Sequence, residues 1–261
     1  MKKICLILSL LILFMSRASF AAEKEWQGYK TDNFKIFAHH VDDDFVNMVM
    51  RESEDALRNV LNCLNIRKYQ MWSGDKAVSI YIYKNEEDYV KNGGQAGWSH
   101  GAALVRLRSI RIYPSANGFF DSILPHELGH IVLHEYVGID TTIPLWFDEG
   151  VAMYQEKAKQ LGGHRLAAQA MKNGKFIPLT DLTNMRLYSS TDVPTVELFY
   201  VESASIVNFM ITQLGDFHFH KLCRELKENR SFENALAEAY PRIKNLGDLN
   251  KKWMEFLKDN E

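Results

Sequence analysis

Hydrophobic residues recur at two different spacings along this chain, and the change falls near residue 117. Before that point, apolar and polar residues alternate in short segments rich in aromatic and β-branched side chains. Such alternation predicts strands, here over residues 34–39, 77–83, 103–107 and 109–113. The last two segments are separated by a single residue, so we expect them to pair with each other.

In the other segments, hydrophobic residues recur at the spacing of a helix. Residues 44–64 carry an amphipathic pattern, and residues 85–90 fit a short helix. After residue 117 the pattern predicts further helices, including segments 145–155, 196–214 and 249–257. A small sheet with helices, followed by a helical half, indicates an α+β fold. We expect one domain over residues 22–261, with a sheet lobe (22–114) and a helical lobe (115–261).

Composition narrows the class of protein. The 261 residues are 46% hydrophobic, 25% charged and 12% aromatic, which is ordinary for a globular protein. These values exclude a disordered tail protein, a collagen-like repeat and a multi-span membrane protein. The formal charge of -2, without a dense Lys/Arg block, gives no footprint for nucleic acid, so no nucleic-acid partner is expected.

The first 21 residues have the pattern of a secretory signal peptide. Lys2 and Lys3 precede an apolar run over residues 4–15, and the small residues Ser19 and Ala21 follow at the expected cleavage site. The run is short for a membrane span, which needs about 20 residues. We therefore expect an exported protein, periplasmic or secreted, without stable membrane insertion after cleavage. An uncleaved anchor is the alternative.

Two cysteines, Cys63 and Cys223, follow the predicted cleavage site. An oxidising compartment would permit a disulfide between them. Each also lies among leucines, which is typical of a small buried side chain. Both interpretations stay open, and the sequence gives no indication of oligomeric state.

The segment His126-Glu127-Leu128-Gly129-His130 carries the main chemical signal, and apolar residues flank it on both sides. Side chains four apart on a helix share a face, so His126 and His130 can present two imidazoles to one metal ion. Glu127 is offset, and its carboxylate can reach a water molecule on that ion. A catalytic zinc needs a third protein ligand and an open position. Glu149, in the predicted helix after Pro144, is the candidate.

The two motifs together resemble the gluzincin metallopeptidases. An HExxH motif, eighteen intervening residues and then Glu149 within Trp-Phe-Asp-Glu-Gly-Val-Ala are most similar to the small peptidase-MA-like proteins, which are related to thermolysin and the aminopeptidases. The resemblance covers roughly residues 110–214. It implies a zincin-like fold, a Zn²⁺ cofactor held by His126, His130 and Glu149, Glu127 as general base, and a peptide or protein substrate.

In the related peptidases a tyrosine or histidine stabilises the oxyanion that forms during hydrolysis. Tyr200, which opens the predicted helix 196–214, is the candidate for this role. It also lies on an apolar stripe of that helix, where a tyrosine can simply pack. His218 and His220 are fallback donors, although a surface position suits each of them better.

Other residues near the motif are weaker ligand candidates. His134 lies eight residues after His126, about 12 Å along a helix, so it cannot reach the same ion. Glu135 has the same limitation. His134 therefore fits a supporting or surface position. Asp148 either orients a ligand imidazole or is a solvated residue of the first helical turn. Tyr136 stands where a metzincin would need histidine, which excludes that branch.

Substrate recognition is less clearly encoded. In gluzincins the strand before the active helix pairs with the substrate, and here that strand is either 109–113 or the segment 97–102. Aminopeptidases carry Gly-x-Met-Glu-Asn there, whereas residues 94–98 contain no such glutamate. An endopeptidase is therefore favoured. Trp98 and His100 either line a pocket or cover the sheet. The alternatives are an exported binding module that keeps the fold, or a hydrolase of non-peptide amides or esters.

Overall fold

The structure is a computed structural model. It describes residues 26–66, 72, 74–94, 99–114, 118–156, 163–188, 190–228 and 230–259. The predicted signal peptide and Trp98 lie outside these ranges.

A mixed sheet of five strands forms the first half of the described chain. The strands are β1 (Trp26–Lys30), β2 (Phe34–His39), β3 (Val78–Ile82), β4 (Gly101–Leu104) and β5 (Ser109–Ile112). Their order is β1-β2-β3-β5-β4, with parallel pairing in the middle and an antiparallel strand at each edge. Every second residue of β2 and β3 is fully buried, as the alternation predicted.

Strand β4 differs from its prediction. The sequence favoured a strand over residues 103–107, but β4 begins at Gly101 and ends at Leu104. Residues Val105–Leu107 form a 3-10 turn, and Arg108 adopts a left-handed conformation with φ of 49°. The tight reversal that pairs Leu104 with Ser109 requires this turn. β1 was missed altogether, because its exposed WQGYK sequence has too weak an alternation.

Ten α-helices complete the described chain. They are α1 (Asp43–Cys63), α2 (Glu86–Lys91), α3 (Leu124–Val137), α4 (Leu145–Tyr154), α5 (Gly163–Lys172), α6 (Leu179–Asn184), α7 (Val193–Thr212), α8 (Asp216–Lys227), α9 (Phe232–Ala239) and α10 (Leu246–Lys258). Short 3-10 segments accompany them, and a π-helical turn, Phe119–Ile123, leads into α3. All regular elements described after residue 118 are helical, so the predicted α+β organisation is confirmed. Among the described helices, none is long and apolar enough to cross a bilayer.

The start of α7 corrects the position assigned to Tyr200. Asp192 caps this helix by accepting from the Thr195 N–H at 3.0 Å, and Pro194 occupies its first turn. The helix therefore begins at Val193, three residues earlier than predicted. Tyr200 lies two turns inside it rather than at its opening.

Helices α1 and α3 cover the inner face of the sheet, and α4 packs along both α3 and α7. The contact between α4 and α7 depends on Gly150. A Cβ atom at this position would lie 2.4 Å from the Ser203 carbonyl oxygen and 2.5 Å from Val207 Cγ2. Any larger residue would push the two helices apart. The glycine therefore sets the position of α4.

Cys63 and Cys223 are both free thiols in the structure. Burial raises the pKa of Cys63 to about 11 and that of Cys223 to about 12. Both side chains therefore remain protonated at neutral pH and pack as small apolar groups.

Glu202 on α7 is a fully buried carboxyl group in the helical half. Its Oε1 accepts from the Ile177 N–H at 3.1 Å, whereas its Oε2 is buried with no hydrogen-bond partner among the described residues. Burial raises its pKa to about 8, and the Ile177 N–H only partly offsets this. The folded protein therefore keeps this group protonated at neutral pH.

We expect Glu202→Gln to change how stability depends on pH. The folded-state pKa lies above the ordinary glutamate value of about 4.3, so the folded state holds a proton that the unfolded state releases. The wild type therefore loses stability as pH rises from about 4 to 8, and the glutamine variant should lack this loss. Urea unfolding should show the variant gaining relative stability at higher pH. Glu197→Gln, at an exposed position of the same helix, is the control; equal slopes in all three proteins would contradict the prediction.

Candidate functional site

Helix α3 places His126, Glu127 and His130 beside Glu149 of α4. The Nε2 atoms of the two imidazoles lie 3.2 Å apart. Glu149 Oε2 lies 3.4 Å from His126 Nε2 and 3.7 Å from His130 Nε2. The three side chains are mostly buried, with 13–17% of each exposed. The structure thus brings together the three residues that the sequence proposed as metal ligands.

Two further carboxylates orient the imidazoles from behind. His126 Nδ1 lies 2.9 Å from Glu156 Oε1, and His130 Nδ1 lies 2.7 Å from Asp148 Oδ1. A carboxylate only accepts hydrogen bonds, so each Nδ1 carries the proton and donates. The Nε2 lone pairs consequently point toward each other and toward Glu149.

This arrangement fits a divalent metal ion. Two lone pairs at 3.2 Å repel each other unless a cation or proton lies between them. Glu149 Oε2 is buried and has no hydrogen-bond partner among the described residues, and its nearest possible counter-charges are the two imidazoles themselves. Donor atoms about 2.1 Å from zinc at tetrahedral angles stand about 3.4 Å apart, close to the three distances seen here.

The charge balance of the site also favours a cation. Burial alone would lower the pKa of both imidazoles, yet neighbouring carboxylates raise the pKa of His126 and raise that of His130 to about 10. The main opposing partners are Glu149 and Glu156 for His126, and Asp148 for His130. Without a metal, protons supply the positive charge that this cluster of acids requires. A bound divalent ion would displace them.

Glu127 faces the same space from the next position of α3. It is 8% exposed, and burial raises the pKa of its carboxyl group. The Ala103 N–H of β4 donates to this carboxylate. A Cβ atom on Gly101 would lie 2.9 Å from Glu127 Oε1 and 2.8 Å from Ile123 Cγ2. Glycine at this strand position therefore makes room for the carboxylate.

Tyr200 of α7 lines the same cleft, and its ring packs against that of Phe199. Burial and the nearby charges of Glu149 and Glu127 raise the pKa of its hydroxyl group. The hydroxyl therefore stays protonated and available as a donor. No hydrogen bond to it is present within the described part of the chain.

The cleft has a volume of about 580 Å³, and β4 forms one of its walls. Of the two segments proposed to face a substrate, the later part of 97–102 is the one that reaches the cleft, through Ser99, His100, Gly101 and Ala102. β5 lies behind β4 in the sheet. His100 does line the cleft, with its Nδ1 held 2.7 Å from the Tyr113 hydroxyl.

The fallback donors lie elsewhere. His218 Nδ1 donates to the Ala239 carbonyl at 2.7 Å, and the ring faces a different cavity. His220 is buried rather than at the surface, and its Nε2 lies 3.0 Å from the Cys63 carbonyl oxygen. Neither histidine lines the cleft that holds Glu127.

Glu156 is the main residue that the sequence interpretation missed. It is 2% exposed and also accepts from the Ser122 hydroxyl. Glu156 lies two residues after the end of α4, so helical spacing from Glu149 does not identify it in the sequence. Of the two roles considered for Asp148, the structure shows contact with a ligand imidazole rather than a solvated position.

The chain is similar to known proteins in sequence and in structure. A family model described as "Peptidase MA superfamily" matches residues 65–259. No curated protein matches the chain. Among solved structures, native yeast LTA4 hydrolase is similar with a TM-score of 0.46 and 12% sequence identity, over 88% of this chain and 39% of that one. This chain thus spans about two fifths of that enzyme's length.

The family match covers most of the chain, from before β3 to the end of α10, and includes every residue of the site. The chain therefore belongs to the Peptidase MA superfamily.

Proposed function

We propose that this protein is a zinc-dependent hydrolase that cleaves internal peptide bonds. The observation that carries the proposal is the convergence of His126 Nε2, His130 Nε2 and Glu149 Oε2 beside the Glu127 carboxylate. A purely structural zinc site is closed by four protein ligands. Three donors next to a cleft leave a position for water.

His126, His130 and Glu149 would hold the ion. Zinc, when bound, lowers the pKa of a bound water molecule and polarises a carbonyl group. Glu127 then takes the proton of the attacking water and passes it to the leaving amine. Burial raises the pKa of Glu127 toward the operating pH, so the carboxyl group can both accept and release that proton.

Tyr200 is proposed to donate its hydroxyl hydrogen to the oxyanion that forms on the substrate carbonyl. Its raised pKa keeps the hydroxyl protonated, and its place in the cleft faces the same space as Glu127. A donor aimed at developing charge contributes most where water is excluded.

The substrate is proposed to bind as an extended chain along β4. This strand lies at the edge of the sheet, so its outer backbone groups can pair with a peptide. Four carboxylates line the described part of the cleft: Glu127, Asp148, Glu149 and Glu156. Each of these already has a proposed role, either in holding the metal, in orienting a ligand imidazole or in proton transfer. Since no further acid there is free to bind an α-amino group, an internal peptide bond is the favoured target.

Glu127→Gln should separate metal binding from turnover. We expect the variant to bind zinc like the wild type but to lose at least about 100-fold in kcat/KM, because the proton acceptor is gone. His126→Ala should lose the metal as well. Zinc content by metal analysis and cleavage of a mixed peptide library would measure both.

Each result has a clear meaning. Equal product release by wild type and Glu127→Gln would contradict the proposed mechanism. Zinc binding by the wild type without turnover of peptides, amides or esters would favour a binding module. Cleavage of esters or non-peptide amides alone would retain the site but change the substrate class.

Tyr200→Phe tests the oxyanion donor. Removing one such donor typically costs about 100-fold or more in kcat, and we expect a loss of this size with little change in KM. The melting temperature should change little, since no described hydrogen bond to the hydroxyl is lost. Unchanged kcat would assign Tyr200 to packing.

We further propose that the protein acts outside the cytoplasm. The basic start, short apolar run and small residues of the first 21 positions support this. Expression of the full chain followed by cell fractionation and N-terminal sequencing should give an exported protein beginning at Ala22. A cytoplasmic protein that retains residues 1–21 would contradict export.

A further inference from the structure

His134 lies one helical turn after His130 and contacts the same carboxylate. His134 Nε2 is 2.9 Å from Asp148 Oδ2, while His130 Nδ1 is 2.7 Å from Asp148 Oδ1. Each oxygen of Asp148 therefore has its own imidazole. The three side chains are mostly buried, with 13–18% of each exposed.

The direction of these hydrogen bonds follows from the acceptor. A carboxylate only accepts, so both imidazoles donate to Asp148. The two histidines therefore hold the Asp148 carboxylate from two sides.

The other nitrogen of His134 has no comparable contact. His134 Nδ1 is buried and has no hydrogen-bond partner among the described residues. Leaving a buried imidazole nitrogen unpaired costs free energy. Among the described residues, the polar interaction of this side chain is thus its contact with Asp148. The same carboxylate also contacts His130.

We propose that His134 is a positioning residue for the metal site. It fixes the Asp148 carboxylate in the orientation that aligns His130, and so raises the affinity of the site for zinc. This inference rests on the proposed zinc-dependent function. His134 is too far along α3 to be a ligand itself, and its effect passes through Asp148.

The expected consequence of losing His134 follows from the same geometry. Asp148 Oδ2 would be left without its donor, and the carboxylate could rotate about its χ2 bond toward water. His130 would then lose the fixed acceptor that sets its tautomer and ring orientation. Removal of such outer partners typically weakens metal binding by about 10–100-fold.

The test measures zinc affinity by competition with a chelator. We expect His134→Ala to weaken binding about 10-fold, and His134→Gln, whose amide can still donate to Asp148, to recover most of the loss. His218→Ala is the matched control, because it also removes a half-buried histidine with one hydrogen bond, outside the cleft. It should bind zinc like the wild type.

A double-mutant cycle shows whether the effect passes through Asp148. Asp148→Ala should weaken zinc binding, and adding His134→Ala to that variant should change the affinity less than 2-fold. The melting temperatures of the metal-free proteins report any general loss of stability.

Wild-type affinity in His134→Ala, or a full additional loss in the double variant, would overturn the inference alone. Failure of the wild type to bind zinc would overturn both the proposed function and this inference.

Discussion

Mutual repulsion between three electron-rich atoms is the constraint on which the centre of this structure depends. Two imidazole lone pairs and one carboxylate oxygen are held within 3.2–3.7 Å of each other. Proteins tolerate such crowding only when positive charge compensates it. The surrounding acids raise the pKa values of both imidazoles for the same reason. Helix packing, tautomers and backing carboxylates all maintain this arrangement.

The rigidity of the arrangement comes from helix packing rather than from the loop between α3 and α4. Gly150 allows α4 to approach α7 at a distance no larger residue would permit. The neighbouring Glu149 is therefore carried by a helix whose position is fixed from behind. Glu156 and Asp148, from the same segment, reach back to the two imidazoles on α3. Helix α4 and the two residues that follow it thus supply both a ligand candidate and the residues that orient the other two.

Much of this site could be predicted from the sequence because its geometry is local. Four-residue spacing on a helix is enough to place His126 beside His130, and a second short motif identified Glu149. Glu156 could not be assigned in this way, because its contact with His126 depends on the rotation of α4 relative to α3. The boundary of β4 was wrong for a related reason. Alternation continued through Val105–Leu107, but pairing with β5 required the chain to turn there.

The position of β4 has a consequence for what can enter the cleft. An unpaired strand edge without charge or proline, such as Gly-Ala-Ala-Leu here, is normally open to pairing with any other sheet edge. This edge instead lines the cleft that also holds Glu127 and Tyr200, and the Ala103 N–H donates to the Glu127 carboxylate. Charged groups beside a strand edge disfavour its pairing with a second sheet. The carboxylates of the cleft therefore also limit aggregation along this edge.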